Sequence, residues 1–320
     1  MLGRLQDSSP MASVASEEHS ARQKPKVVYV MGAGRSGSTI LGVALGNCAE
    51  VFFAGELDKW LARGGVPKRS DPERVNFWQA VRARVADPGE LRRGHPHRYL
   101  ERSSALVRFG RRRARRRLRK PYRRVASELY DAVSVVSGAS YLVDSSHYPL
   151  RARELQSLDD IELYLLLLVR DPQDVVASFA RDDVVERRFN PLTTRLYLLA
   201  TYLLASWVFL EHPREKRMVL FYEDLLADPA GVIEDLLERI GSSSAPPDFS
   251  RLSTGIPLHG NRLIDEPSVS LQPLAPRRGG ASASRLFAVA LRAALGRLHP
   301  RVSARSPGER PHSQPASAAR

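Results

Sequence analysis

The chain has 320 residues and a formal net charge of +14, and its length suits one large domain or two modest ones with a proper hydrophobic core. Its hydrophobic content of 43% excludes a wholly disordered protein. A single cysteine, Cys48, excludes a disulfide scaffold and a zinc cluster built on several thiolates, and it favours a reducing compartment.

Short apolar runs alternate with helical patterns along the chain. Strands are predicted at residues 26–31, 51–54, 141–144, 163–169 and 218–222. Helices are predicted at residues 39–45, in pieces between 71 and 137, from Asp174 onward, and at 231–240. Four prolines are expected to interrupt the helical pattern between 71 and 137: Pro72, Pro88, Pro96 and Pro121. The alternation predicts an α/β fold, a P-loop-like parallel sheet with helices on both faces.

A single domain with a helical insertion is expected to account for most of the chain. Residues 26–262 are predicted to form the α/β domain, with an Arg-rich helical insertion at about 60–137. Residues 1–25 lack the apolar core of a signal peptide and are expected to be a flexible leader. Residues 263–320 are rich in Ser, Ala, Pro and Arg, which predicts a divergent, largely disordered basic tail with one helical island at 284–298.

The most apolar run of the chain lies at residues 196–210. It is shorter than the roughly 20 residues of a spanning helix. Arg195 precedes it, and Glu211 and Pro213 follow it closely. We therefore predict a buried core helix here, no transmembrane segment, and a cytoplasmic protein.

Positive charge is concentrated in two stretches of the sequence. Residues 91–124 contain 15 Lys and Arg against one acidic residue, and residues 262–320 contain 10 against three, whereas residues 125–261 contain 12 against 21. The arginine run at 108–124 is open to three interpretations: a solvated helix face, a patch for nucleic acid or an anionic membrane, or the rim of a site for an acidic substrate. We expect no specific nucleic-acid partner and allow a peripheral contact with an anionic membrane; the oligomeric state stays open.

A glycine-rich turn at residues 32–39 joins the first predicted strand to the first predicted helix. Its sequence is Gly32-Ala33-Gly34-Arg35-Ser36-Gly37-Ser38-Thr39. Glycines let the backbone turn tightly, so that successive N–H groups and the helix N-terminus point at one anion. A purely structural turn is the alternative, but the position and composition favour a phosphate loop.

The turn fits three kinds of phosphate loop. As G-x-G-x-x-G it matches the dinucleotide fingerprint, and Glu56 lies about where a ribose-binding acid would stand. As G-x-x-x-x-G-K-[ST] it matches a nucleoside-triphosphate loop, except that Ser38 replaces the lysine that contacts the β- and γ-phosphates. With Arg35 as its cation and nearby hydroxyl groups as donors, it suits a single terminal phosphate or sulfate group.

A second polar pair follows the strand predicted at 163–169. Arg170 ends this strand, and Ser178 lies eight residues later on the next predicted helix. Both would reach the carboxyl edge of the sheet, where ligands bind in open α/β folds. Taken alone, Arg170 would be read as a surface ion-pair partner and Asp174 as a residue near a helix N-cap.

Together these segments resemble the sulfotransferases that use 3′-phosphoadenosine 5′-phosphosulfate (PAPS). KVVYVMGAGRSGSTILGVALG resembles the family's 5′-phosphosulfate loop, and LLLLVRDPQDVVASFARD resembles its 3′-phosphate strand and helix. VLFYEDLLADP is similar to the family's YEDL segment, and HGNR at 259–262 is similar to the Gly-Asn loop that closes over the cofactor. The resemblance covers residues 26 to about 262.

The resemblance implies a site and a reaction, in which PAPS gives its sulfuryl group to an acceptor hydroxyl or amine by in-line displacement. The implied cofactor-binding residues are Gly34, Arg35, Ser36, Gly37, Ser38, Thr39, Arg170, Ser178, Tyr222, Asn261 and Arg262. The implied catalytic residues are Glu56, Arg35 and His147, with Glu56 as the base. Relatives commonly have a lysine where this chain has His147, so His147 is open to interpretation as an acid, a cation or a structural residue.

Two alternative functions stay open, a P-loop nucleotide-dependent kinase and a polyanion-binding protein that uses residues 108–124. No metal is expected, since the sequence offers no clustered ligand set. The acceptor, a small molecule, carbohydrate or lipid, is not indicated, because acceptor pockets are made by variable loops.

Overall fold

The central feature of the fold is a parallel sheet. The computed structural model describes residues 23–86, 89–103, 112–179, 191–271 and 301–302. Its strands are β1 (Lys26–Gly32), β2 (Val51–Gly55), β3 (Tyr141–His147), β4 (Glu162–Val169), β5 (Arg217–Phe221), β6 (Leu252–Ser253), β7 (Ser268–Val269) and β8 (Arg301–Val302). Six of them form a parallel sheet in the order β2-β3-β1-β4-β5-β8, and β6 and β7 form a small antiparallel pair.

Helices connect the strands and cover the sheet. They are α1 (Ser38–Gly46), α2 (Lys59–Arg63), α3 (Pro72–Arg82), α4 (Gly89–Arg93), α5 (Arg112–Ser137), α6 (Pro149–Leu155), α7 (Pro172–Phe179), α8 (Pro191–Leu210), α9 (Tyr222–Ala227) and α10 (Pro229–Ile240). A π-helical turn lies at His97–Glu101, and 3₁₀ turns lie at Arg214–Lys216 and Arg262–Asp265.

The two faces of the sheet carry two hydrophobic cores. Alternate residues of β1 point to opposite faces, so Tyr29 joins one core and Val28 the other. The core around Tyr29 includes side chains of α5 and α8, and the core around Val28 includes side chains of α1 and α10. The predicted α/β fold with helices on both faces is confirmed.

Helix α5 corrects one expectation from the sequence, because Pro121 lies inside this 26-residue helix and does not interrupt it. Buried side chains recur at helical spacing on both sides of the proline, from Leu118 and Tyr122 to Leu129. This packed apolar face outweighs the one backbone donor that proline removes. Pro72 lies at the start of α3, where the missing donor costs nothing, and Pro88 lies outside the described residues.

Helix α8 corrects a second expectation, since it is buried along only one face. Tyr202 and Phe209 are among the side chains that it contributes to the core, whereas Leu203 is 65% exposed. The segment Thr193–Leu210 is long and apolar enough to cross a membrane by length and composition, and 44% of it is buried inside the protein. Composition alone could not distinguish a half-buried helix from a fully buried one.

Several element boundaries differ from the predicted ones. Strand β3 extends to His147, and Tyr222 begins α9 instead of ending a strand. Residues 301–302 form the edge strand β8, with Val302 fully buried, although a disordered tail was expected there. The predicted leader up to residue 22 and the helical island at 284–298 lie outside the described residues.

Candidate active site

The glycine-rich turn between β1 and α1 forms the centre of the candidate site. Arg35 and Gly37 both have positive φ, 69° and 95°, and Gly37 directly precedes α1. A Cβ atom at Gly37 would overlap the Tyr222 ring, so this position needs glycine for both its conformation and its space. Among the described residues no side chain caps α1 and its first turn has no acidic residue, so its N-terminus favours an anion.

The hydroxyl groups of Ser36 and Tyr197 contact the backbone of the turn. Ser36 Oγ donates to the carbonyl of Ala33 at 2.7 Å, which stabilises the turn from inside. The Gly34 amide donates to the Tyr197 hydroxyl of α8 at 3.0 Å. Tyr197 was not foreseen in the sequence, because 163 residues separate it from Gly34 and no local pattern links them.

The predicted 3′-phosphate residues lie directly against the turn. Arg35 Nε donates to Ser178 Oγ at 3.1 Å, and Arg170 donates to the carbonyl of Arg35 at 3.0 Å. The Arg170 guanidinium also lies over the Tyr222 ring, 4.8 Å from its centroid. Arg170 Nε is buried and has no hydrogen-bond partner among the described residues, so it suits an anionic ligand. Four residues from four separate segments therefore meet at one edge of the sheet.

Glu56 follows β2 and is held by two neighbours. His259 Nδ1 lies 3.1 Å from Glu56 Oε2, and the Lys59 ammonium lies 3.6 Å from the same oxygen. The Glu56 amide donates to the His259 carbonyl at 2.9 Å, so the loop at 254–260 fixes both ends of the residue. Burial raises the pKa of Glu56, but the His259 hydrogen bond and the positive charge of Lys59 outweigh it and bring the pKa to about 2. Glu56 is therefore a carboxylate at neutral pH.

His147 stands at the end of β3, next to Met31 of β1 in the sheet register. Its φ of 57° is a left-handed conformation that few residues other than glycine adopt. Burial lowers the pKa of His147 by more than the carboxylates Glu56 and Asp58 raise it. His147 is therefore neutral at pH 7 and does not replace the positive charge of a lysine.

Lys59 supplies positive charge beside these groups. Its ammonium lies 2.6 Å from Asp58 Oδ2 in addition to its contact with Glu56. Burial lowers the pKa of Lys59, but the two carboxylates raise it by more, so the side chain stays charged. The sequence carried a signal for Lys59, since it lies one helical turn after Glu56, yet it was not among the predicted site residues. His259 belongs to the HGNR segment, but the sequence did not indicate a role for it.

A buried ionic network lies beneath this part of the site. Arg151 reaches Glu101 and Asp144, each at 3.2 Å, and donates to the Tyr122 hydroxyl at 2.7 Å. The Tyr130 hydroxyl donates to Asp144 at 2.6 Å. Because Asp144 belongs to β3 three residues before His147, the network fixes the strand end that carries the histidine.

The last predicted loop, residues 259–262, lies near the turn; His259 contacts Glu56, whereas the described hydrogen bond of Asn261 is local. Asn261 Oδ1 accepts from the Leu263 amide at 2.7 Å and so caps a 3₁₀ turn, and Arg262 is exposed. A Cβ atom on Gly260 would lie 3.7 Å from the Thr39 methyl group, which places this loop beside the start of α1. Ser38 is the first residue of α1, and both it and Thr39 border the proposed anion position.

One group of side chains has the spacing of metal ligands. Ligand atoms of Asp58, His97 and Glu101 lie within 4.8 Å of one another. Each already contacts a cationic side chain; these are Lys59, Arg102 and Arg151. Nearby positive charge opposes binding of a metal ion, and we assign none to this group.

Comparison with known proteins places the chain among its relatives. A family model described as the sulfotransferase family matches residues 25–246. The structure resembles the sulfotransferase domain from the curacin biosynthetic pathway at 17% identity, over 84% of this chain and 98% of that one, with a TM-score of 0.51. The sulfotransferase domain of the Synechococcus PCC 7002 olefin synthase gives 17% identity, coverages of 85% and 96%, and a TM-score of 0.46. No curated protein matches the chain.

Proposed function

Because the chain belongs to the sulfotransferase family, we propose that it transfers a sulfuryl group from PAPS to the hydroxyl of an acceptor. The observation that carries this proposal is that an anion-binding turn and two arginines meet at the carboxyl edge of the sheet, and that the Glu56 carboxylate follows β2 at the same edge. A polyanion-binding protein would not need Glu56 in this position, and a P-loop kinase would need the loop lysine that Ser38 replaces.

The donor would bind across the turn and the residues that lie against it. The turn amides, the N-terminus of α1 and Arg35 would hold the 5′-phosphosulfate, and Arg170 and Ser178 would hold the 3′-phosphate. The unpartnered Nε of Arg170 fits an anionic oxygen at this position. Since Arg35 Nε now donates to Ser178 Oγ, we expect the donor to replace this contact with bonds to its own oxygens.

Glu56 would activate the acceptor. Its carboxylate accepts the hydroxyl proton while the acceptor oxygen forms a bond to sulfur and the bond between sulfur and the 5′-phosphate oxygen breaks. The electron pair of the broken bond leaves with adenosine 3′,5′-bisphosphate. Arg35 would stabilise the negative charge that develops on the leaving oxygen.

A pKa of about 2 makes Glu56 a weak base in the free protein. The bound donor would bring several negative charges close to the carboxylate, and like charges raise the pKa of an acid. We therefore propose that the donor itself prepares Glu56 as a base. Lys59 would supply the positive charge that the neutral His147 does not.

Titration calorimetry with adenosine 3′,5′-bisphosphate tests donor binding. Removing a charge-assisted hydrogen bond in R170A or S178A should weaken binding about 10- to 150-fold, whereas R82A, on an exposed arginine of α3, should leave binding unchanged. Tighter binding of ATP with magnesium would replace this proposal with a kinase.

Turnover with sulfur-labelled PAPS tests the base. E56Q should bind the bisphosphate normally and lose about 10²- to 10⁴-fold in turnover, and E73Q, on an exposed glutamate of α3, serves as the matched control. Full turnover by E56Q would remove Glu56 from the reaction. A panel of sugar, lipid, peptide and phenol acceptors in the same assay identifies the acceptor class.

A further inference from the structure

Helix α8 exposes an apolar face from Leu196 to its last residue, Leu210. Its exposed apolar side chains are Leu196, Tyr197, Leu199, Leu203, Trp207 and Leu210, and we call them the apolar face. All of them except Tyr197 recur every three or four residues and so form one stripe, and Tyr197 lies beside its first member. In the described part of the chain, Val66 is the only other large apolar side chain with comparable exposure. A stripe of this size on an otherwise polar surface marks a contact with another apolar phase.

An arginine-lined cavity lies where α5 and α6 approach the end of α8. Its volume is about 520 Å³. Six arginines and two glutamates are among its lining residues: Arg112, Arg115, Arg116, Arg119, Arg123, Arg153, Glu154 and Glu211. Glu154 pairs with Arg119 and Arg123, which leaves the cavity with a clear excess of positive charge. Arg115 Nε is buried there without a hydrogen-bond partner among the described residues.

The apolar face and the arginine-lined cavity belong to one continuous surface. The Arg153 guanidinium stacks on the Trp207 ring, 4.1 Å from its centroid, and lies 3.8 Å from Glu211. Arg153 therefore lines the cavity and contacts the apolar face at the same time. Any partner that covers Trp207 also meets the arginines.

We propose that this surface docks the protein onto an anionic lipid bilayer. The leucines and Trp207 would enter the interfacial region with α8 lying in the membrane plane, and the arginines would meet lipid phosphates. The other face of α8 stays in the protein core, which is consistent with a helix that lies on a membrane rather than across it. An anionic bilayer offers both hydrocarbon and negative charge, and so complements both halves of the surface.

Other kinds of partner complement only the apolar face or only the arginine-lined cavity. A nucleic acid would pair with the arginines but leave the leucines in water. A second copy of the chain would bring a second set of arginines to the same place, and like charges repel. The segment at 284–298 has an apolar pattern, but it carries three arginines and no acidic residue, so it too would be repelled.

The surface also reaches the candidate active site, since Tyr197 of the apolar face accepts a hydrogen bond from Gly34 of the donor-binding turn. Docking would therefore bring the turn close to the bilayer surface. The inference stands apart from the proposed reaction, because membrane binding is measured without PAPS or an acceptor.

Vesicle flotation with the full chain tests the docking. The protein should float with vesicles containing phosphatidylglycerol and not with pure phosphatidylcholine, and added salt should weaken the binding. R112Q/R116Q should bind about 25-fold more weakly, at about five-fold for each arginine. R82Q/R84Q, on exposed arginines that do not line the cavity, should bind normally. Equal binding to both vesicle types would overturn the proposal.

Variants of the apolar face test its part in membrane binding separately from the arginines. L199E/L203E should lose more than 100-fold in vesicle binding, about ten-fold or more for each leucine, whereas V66E serves as the control for an exposed apolar side chain elsewhere. Unchanged vesicle binding by L199E/L203E would overturn the proposal. So would a stable dimer in light scattering that L199E/L203E dissociates, because a second copy would then cover the face.

Tryptophan fluorescence gives a readout on the unmodified protein. The chain has three tryptophans; Trp60 and Trp78 are buried, and Trp207 is 38% exposed. Anionic vesicles should shift the emission to shorter wavelength, and brominated lipids should quench it. W207F, which keeps an apolar ring, should remove both effects. Vesicles that leave the wild-type emission unchanged would contradict insertion of α8.

Discussion

Arg151 is the residue whose removal tests the buried network most directly. Its guanidinium contacts two buried carboxylates, Glu101 and Asp144, and its side chain is 4% exposed. Arg151→Met keeps much of the side-chain volume but leaves both carboxylates without their shared cation. Breaking a buried ion pair on one side costs about 3–5 kcal/mol. The expected fall in melting temperature is about 6–20 °C.

Arg153→Met is the matched control on the same helix. Arg153 is 39% exposed and lies 3.8 Å from Glu211, which is also exposed. An exposed ion pair of this kind and the stacking on Trp207 together contribute about 1 kcal/mol to the free energy of unfolding. Thermal and denaturant unfolding of R151M and R153M at pH 7 measures how much stability each variant loses relative to wild type.

The pH dependence of R151M separates lost charge from lost packing. In the wild type burial raises the pKa of Glu101, but its hydrogen bond with His97 and the charge of Arg151 lower it by more. Without Arg151 the pKa of Glu101 should rise, so acid should protonate this carboxylate and narrow the difference in stability between R151M and wild type. R151M/E101Q/D144N should recover more than half of the loss. A loss no larger than that of R153M, or one unchanged by pH, would refute the charge argument.

Two further predictions concern Gly37 in the turn and Glu56 after β2. Gly37→Ala should abolish binding of adenosine 3′,5′-bisphosphate in calorimetry, because its Cβ would overlap the Tyr222 ring at a φ of 95°; normal affinity would contradict the described packing. The pKa of Glu56 falls from 4.5 to about 2 on folding, so its charge stabilises the fold above pH 4.5 and this stabilisation is lost as the pH falls toward 2. E56Q should therefore be less stable than wild type by about 3 kcal/mol at pH 7 and about 2 kcal/mol at pH 3.5 in chemical unfolding. If the difference in stability between E56Q and wild type does not narrow in acid, the contacts of Glu56 do not depend on its charge.

The sequence predicted the sheet well because strand periodicity is a local property. β4 differs from its predicted range by one residue, and β1 and β2 also end one residue from theirs. Helix α8 was predicted less well. Its hydrophobicity showed that it is apolar, but the side that faces solvent depends on what packs against the helix.

For the candidate site, too, the sequence predicted what local motifs carry and missed what depends on distant residues. Motifs indicated Arg35, Arg170 and Ser178, and the structure brings them into contact. The contact between Glu56 and His259 joins residues 203 positions apart, so no sequence window contains it. The neutral state of His147 depends on burial, which its neighbours in sequence do not determine.

The net charge of +14 takes on a different meaning once its position is known. The cations at the candidate active site, Arg35, Lys59 and Arg170, come from segments with little or negative net charge, whereas the arginine excess of residues 91–124 falls largely on α5. The two regions are nevertheless connected by α8, where Tyr197 contacts the turn and Trp207 contacts Arg153. Ten residues of helix span about 15 Å. If the arginines and the apolar face hold the protein on a bilayer, the glycine-rich turn lies against the docked face through Tyr197, about 15 Å along α8 from the contact with Arg153. An acceptor hydroxyl at a lipid headgroup is then the class to test first.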